Sequence, residues 1–86
     1  MEGLTEGRIV HYVMPSGEHR PAIVVRVWNI ATSPGMVNLV VFTDGWNDIK
    51  PSERSDTILT CTLWESSVSF DDSAIANGTW HWIEKA

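Results

Sequence analysis

Residues 8–28 read RIVHYVMPSGEHRPAIVVRVW, and this stretch decides the fold class. Residues 8–14 and 21–28 are rich in β-branched side chains, and the turn-forming sequence Pro15-Ser16-Gly17 follows the first run. In the second run, apolar side chains occur on both faces of an extended chain, which indicates a central strand or one covered on both sides. We therefore predict two successive β-strands joined by a short connection.

The strand pattern continues along the chain. Residues 36–43, 57–65 and 79–83 form alternating or β-rich runs, and Asp44-Gly45 is predicted to turn the chain after the first of them. We expect a bulge at Ser66-Ser67 before a short continuation of the fourth strand.

No segment carries apolar residues at helical spacing over ten residues or more, although the loop at residues 71–78 has room for one helical turn. Residues 1–86 are therefore predicted to be a single all-β domain. Its expected architecture is a small, SH3-like, partly open barrel of about five strands with at most one short helix.

The 86 residues contain one cysteine, Cys61, so the chain forms no internal disulfide. A single thiol is typical of a reducing cytoplasm. Because small domains with thin cores commonly self-associate, we predict a homo-oligomer, most simply a dimer. Cys61 lies among apolar neighbours, so we expect it to be buried and inert.

The net charge of −5 argues against binding to duplex nucleic acid, which needs a basic face. Residues 1–30 contain three acidic and three basic residues, whereas the rest of the chain carries the whole negative charge. No apolar run reaches the ~20 residues needed to span a membrane, and the acidic start of the chain does not suggest a signal peptide. A cationic site is therefore expected only in the first third of the chain, or where this part of the chain meets a partner.

We identify one candidate ligand site in this first third. Guanidinium groups bind phosphate through paired hydrogen bonds, and an indole can stack on a base. The candidate ligand-binding residues are Arg8, His11, Arg20, Arg26, Trp28 and Trp46, with His19 close by. The alternative is that the arginines are solvated or paired with Glu6 and Glu18. Of the five tryptophans, we expect one or two at a partly exposed surface.

Catalytic residues and cofactors are not predicted. Cys61 has no evident partner base, and Asp71-Asp72 are adjacent residues on a loop. The three histidines and Cys61 show no metal-ligand spacing such as Cys-x-x-Cys, so a metal site would have to be assembled by folding. We favour hydrogen-bonding roles for the histidines and expect no metal site.

Four strings resemble a group of small bacteriophage and prophage proteins: GRIVHYV at residues 7–13, HRPAIVV at 19–25, NLVVFTDG at 38–45 and GTWHW at 78–82. The resemblance covers most of the chain apart from residues 46–57. It implies a phage protein expressed in the host bacterial cytoplasm, and it implies no catalytic residues.

We therefore expect a non-enzymatic phage binding protein. The most specific version of this hypothesis is a counter-defence sponge, a protein that sequesters a small anionic nucleotide signal without reacting with it. The alternative is a protein-binding module, either an inhibitor of a host protein or a structural adaptor. That module would use the loop at residues 46–56 and an exposed aromatic groove.

Overall fold

The computed structural model describes residues 2–48 and 61–84, and of Trp46 and Asn47 it describes the backbone alone. Within these ranges the chain forms five strands and one short 3₁₀ turn. The strands are β1 (Ile9–Val13), β2 (His19–Val27), β3 (Val37–Phe42), β4 (Thr62–Val68) and β5 (Trp80–His81), and the turn spans Gly45–Asp48.

The strands form one antiparallel sheet in the order β4-β3-β2-β1-β5. The chain that follows β4 also pairs with β5, through a parallel bridge between Phe70 and Trp80. The Trp80 N–H donates to the Ser69 carbonyl at 3.0 Å, and the Asp71 N–H donates to the Trp80 carbonyl at 2.9 Å. These contacts close the sheet in part, so the predicted all-β, partly open barrel is confirmed.

Alternation along the strands builds the core. Even-numbered side chains of β1, even-numbered side chains of β2 as far as Val24 and odd-numbered side chains of β3 point inward, as a period of two requires. A register shift between Val24 and Arg26 interrupts this alternation, and Arg26 is exposed. Trp80 is fully buried, and its indole N–H donates to the Gly35 carbonyl at 2.6 Å. The buried cluster comprises Leu4, Val10, Tyr12, Met14, Ala22, Val24, Val37, Leu39, Val41, Val68 and Trp80.

The position of β2 at the centre of the sheet matches the prediction from its two apolar faces. Its outer face is open, however, because no second layer among the described residues covers it. Val25 is exposed there, as are Ile9 on β1 and Trp64 on β4. One or two tryptophans were expected at a partly exposed surface, and Trp64 is exposed.

The predicted bulge at Ser66-Ser67 is confirmed by the β3–β4 register. Val37 is paired with Val68 and Leu39 with Glu65, so two residues of β4 face the single residue between them on β3. Ser67 has a φ of 55°, and its N–H donates to the Asn38 side-chain oxygen at 2.9 Å. The side chain of Asn38 therefore supplies an acceptor where the ladder is interrupted.

The prediction that Cys61 is buried in a strand is wrong. Cys61 is exposed and lies at a bend, and β4 begins one residue later. Most of β4 is exposed, and among the described strands it pairs with β3 alone. The predicted strand residues 57–60 and the loop residues 49–56 lie outside the described parts of the chain.

The loop at residues 71–78 consists of turns and bends. The Asp71 carboxylate accepts hydrogen bonds from the Ser73 hydroxyl at 2.6 Å and from the Ala76 N–H at 2.9 Å. A side chain that binds nearby backbone groups in this way competes with helix formation. In the described ranges, no helix is long and apolar enough to cross a membrane.

Candidate functional site

Three histidines share the outer face of the sheet near the β1–β2 connection. His11 on β1 lies directly opposite His81 on β5 and, on its other side, opposite Pro21 on β2. His19 precedes Pro21 by two residues on β2, so it projects to the same face. The register of three strands thus brings the three imidazoles together.

The rings contact one another edge to face. Ring centroids are 4.7 Å apart for His19 and His81, 5.8 Å for His11 and His81, and 6.4 Å for His11 and His19. Cross-strand neighbours on one face of a sheet approach at about this range. The rings are therefore held by backbone pairing rather than by a flexible loop.

Glu84 completes the group, which we call the histidine cluster (His11, His19, His81 and Glu84). The Glu84 carboxylate lies 2.7 Å from His11 Nδ1 and 2.7 Å from His19 Nδ1, and it also contacts His81 Nε2. One potential ligand atom from each residue lies within 4.8 Å of the others. Four groups capable of binding a metal ion therefore converge on one point.

The cluster is buried at its base and open at its top. The exposed fraction of the side chain is 4% for His81, 23% for His11, 33% for His19 and 42% for Glu84. The second ring nitrogen of His81, Nδ1, is buried and has no hydrogen-bond partner among the described residues. Solvent therefore reaches His11, His19 and Glu84, whereas His81 is almost completely covered.

Electrostatics place a negative charge in the cluster. Burial raises the pKa of the Glu84 carboxyl, but hydrogen bonds with His11, His19 and His81 lower it by more, to about 2. Glu84 is therefore ionised at neutral pH. A carboxylate surrounded by three imidazoles offers both charge and ligand atoms to a cation.

The chemistry of these groups fits a transition-metal ion. Imidazole nitrogen and carboxylate oxygen are common ligands of Zn²⁺, which prefers four ligands in a tetrahedron. At metal–ligand distances of about 2.0–2.2 Å, tetrahedral ligands lie about 3.3–3.6 Å apart. The four groups need only small side-chain movements to reach that spacing.

Of the predicted ligand residues, Arg20 is held by an ion pair. Its Nε and Nη2 donate to the two Asp48 oxygens at 2.8 and 3.0 Å, a paired geometry. This hydrogen bonding raises the pKa of Arg20 and lowers the pKa of Asp48. The pair anchors the Gly45–Asp48 turn to β2.

The other two arginines lie on aromatic rings. The Arg26 guanidinium is 4.4 Å from the ring centroid of Trp28, whose indole N–H donates to Asn38 Oδ1 at 3.0 Å. The Arg8 guanidinium is 5.3 Å from the ring centroid of Trp82. Each arginine thus has its own partner.

The structure does not gather the predicted ligand residues in one pocket. Arg20 and Arg26 are six residues apart on β2, which separates them by roughly 20 Å. His11 belongs to the histidine cluster instead, and the side chain of Trp46 lies outside the described parts of the chain. The ligand-binding role of these six residues stays a prediction.

Sequence reasoning did not identify His81 and Glu84 as members of a site. His11 and His19 carry a usable signal, because both have odd numbers and flank one predicted turn. The pairing of His81 with His11 joins residues 70 positions apart, and no local pattern encodes such a pairing. The three-residue spacing of His81 and Glu84 becomes informative only once that pairing is known.

No family model, curated protein or solved structure matches this chain. The histidine cluster is therefore interpreted from its own geometry.

Proposed function

We propose that this protein is a non-enzymatic binding protein that binds a divalent transition-metal ion, best matched by Zn²⁺, at the histidine cluster. One observation carries the proposal: four potential ligand atoms, from three strands and the segment after β5, lie within 4.8 Å of one another. Four protein ligands are typical of Zn²⁺ sites that bind or stabilise, whereas catalytic sites usually contain three.

The competing interpretation is a hydrogen-bonded cluster without a metal ion. One histidine is enough to pair with a glutamate, yet here three imidazoles face the same carboxylate. An imidazole nitrogen can present a lone pair to a cation, and here three such rings converge from three different strands. The convergence of the rings therefore supports a metal ligand role.

A bound ion would also stabilise a small fold. β5 has only two residues, and the cluster joins it to β1, β2 and Glu84. Domains of this size frequently use a metal ion where the core is thin. An ion at 100 times its dissociation constant would contribute about 2.7 kcal/mol to the free energy of unfolding.

The test is competitive titration of the full chain with Zn²⁺ and a chelator of known affinity. We expect one ion per chain, and His19→Ala should weaken binding by more than about tenfold, since even outer-shell changes cost 10–100-fold. Glu18→Gln is the matched control, because it alters the neighbouring residue and should leave the affinity unchanged. The proposal would be contradicted if the protein bound no Zn²⁺ at micromolar concentrations, or if His19→Ala bound Zn²⁺ as tightly as the wild type.

Sequestration of a small anionic nucleotide by a phage protein in the host cytoplasm is the second candidate. The Arg26 guanidinium on Trp28 supports it, since neither Arg26 nor Arg8 forms an ion pair within the described ranges. Such a guanidinium remains able to bind phosphate. Calorimetry with cyclic and linear nucleotides tests this candidate, and loss of binding in Arg26→Ala but not in Arg20→Ala would favour it.

A further inference from the structure

The four members of the histidine cluster are held in different ways. His11, His19 and His81 are strand residues whose backbones belong to the hydrogen-bonded sheet. Glu84 lies three residues beyond β5, in a segment without regular secondary structure. Three ligands are therefore fixed by the sheet, and the fourth depends on the path of residues 82–84.

Exposure follows the same division. The Glu84 side chain is the most exposed of the four. Of the four side chains, Glu84 is therefore the most accessible to a molecule in solution. Glu84 is thus the ligand that an incoming group can replace without disturbing the sheet.

We infer that Glu84 is an exchangeable ligand, and that an oxyanion of another molecule, a phosphate or a carboxylate group, takes its place on the metal ion. This inference rests on the proposed metal binding. The site would then bind two partners, the metal ion and an anionic molecule that carries a phosphate or carboxylate group.

Charge favours an oxyanion as the replacement. Three neutral imidazoles leave the charge of a divalent ion uncompensated when Glu84 leaves, and a new anion restores the balance. The Glu84 carboxylate itself, which contacts all three rings, demonstrates that two oxygens of one anion fit against them. Water or a neutral donor would not restore the charge.

Arg20 does not compete for such an anion, although it adjoins His19 in sequence. Its guanidinium is occupied by both oxygens of Asp48. Alternation along β2 also directs Arg20 to the opposite face of the sheet. Arg20 is therefore not the group that would attract the anion at this site.

The test uses Co²⁺ as a spectroscopic probe, because its visible absorption changes with the number and type of its ligands. Wild-type protein, Glu84→Ala and the control Glu18→Gln are loaded with Co²⁺ and titrated with inorganic phosphate, acetate and adenosine monophosphate. Acetate and phosphate separate the two oxyanion types, and the nucleotide tests whether a phosphate carried on a larger molecule reaches the ion.

We expect Glu84→Ala to retain Co²⁺ and to bind phosphate at least about tenfold more tightly than the wild type, because Glu84 no longer competes. Glu18→Gln should respond as the wild type does. Loss of Co²⁺ binding in Glu84→Ala alone would overturn the inference, since Glu84 would then be essential. The inference would also be overturned if anions changed the Co²⁺ spectrum equally, or not at all, in the wild type and in Glu84→Ala. Failure of the wild type to bind Co²⁺ would instead overturn the proposed metal binding on which the inference rests.

Discussion

The histidine cluster and the three arginines behave in opposite ways. The histidines and Glu84 are spread over residues 11–84, yet strand register brings their ligand atoms within 4.8 Å. Arg8, Arg20 and Arg26 lie within 19 residues of sequence, yet one is paired with Asp48 and the others lie on separate indoles. Proximity in sequence is therefore a poor guide to a site in a sheet, where register and strand face decide which side chains meet.

Removal of the metal ion is expected to have the largest effect. At a Zn²⁺ concentration 100 times the dissociation constant, the bound ion stabilises the fold by about 2.7 kcal/mol. For a domain of this size, that free energy corresponds to a Tm shift of roughly 10–20 °C, so excess chelator should lower Tm by this amount. Differential scanning calorimetry measures the shift. The His19→Ala variant is the control, and a shift of equal size in that variant would show that the ion acts elsewhere.

Arg20→Ala tests whether the arginines are independent of the histidine cluster. His19 and Arg20 are adjacent on β2 but face opposite sides of the sheet. The Asp48 side chain is 3% exposed, so loss of Arg20 leaves a buried carboxylate without its paired donor. We expect a loss of about 1–3 kcal/mol in the free energy of unfolding, with unchanged Zn²⁺ affinity. Urea denaturation measures the free energy of unfolding of this variant, and zinc titration measures its Zn²⁺ affinity. Weakened zinc binding would contradict the expectation that the Arg20–Asp48 pair and the histidine cluster are independent.

The same ion pair predicts a pH dependence. The hydrogen bond with Arg20 lowers the pKa of Asp48 below its ordinary value, so folding favours the ionised form. The contribution of the pair is then fully present above about pH 4 and is lost as the pH falls through the lowered pKa. The difference in stability between wild type and Arg20→Ala should shrink as the pH falls below about 4, and a difference that grows as acid is added would contradict the assignment.

The sequence predicted the fold better than the site, for a physical reason. Alternation along β1 to β3 and the turn at Pro15-Ser16-Gly17 are local features, and even the bulge at Ser66-Ser67 followed from adjacent residues. The exposure of Cys61 depends on the place of β4 in the sheet order, which no local pattern contains. Pairing between β1 and β5, which assembles the histidine cluster, depends on closure of the whole barrel.

Arg26→Ala is expected to have the smallest effect. A guanidinium on an exposed or half-exposed indole contributes about 0.5–1 kcal/mol, so stability should fall by no more than this amount. Zinc affinity should not change, because Arg26 lies at the other end of β2 from His19. Thermal unfolding with and without Zn²⁺ measures both quantities, and a loss of several kcal/mol would show that the Arg26–Trp28 pair is structural rather than available to a ligand.

The central claim is that the three imidazoles bind one metal ion through the nitrogens that now face Glu84. Two-dimensional NMR of ¹⁵N-labelled protein, with ring nitrogens observed through their coupled protons, tests it directly. Added to one equivalent, Zn²⁺ should shift Nδ1 of His11, Nδ1 of His19 and Nε2 of His81 together, in slow exchange and to the positions of metal-bound nitrogen. Shifts confined to one histidine, shifts at the opposite ring nitrogens, or no change in any of the three rings would contradict the account.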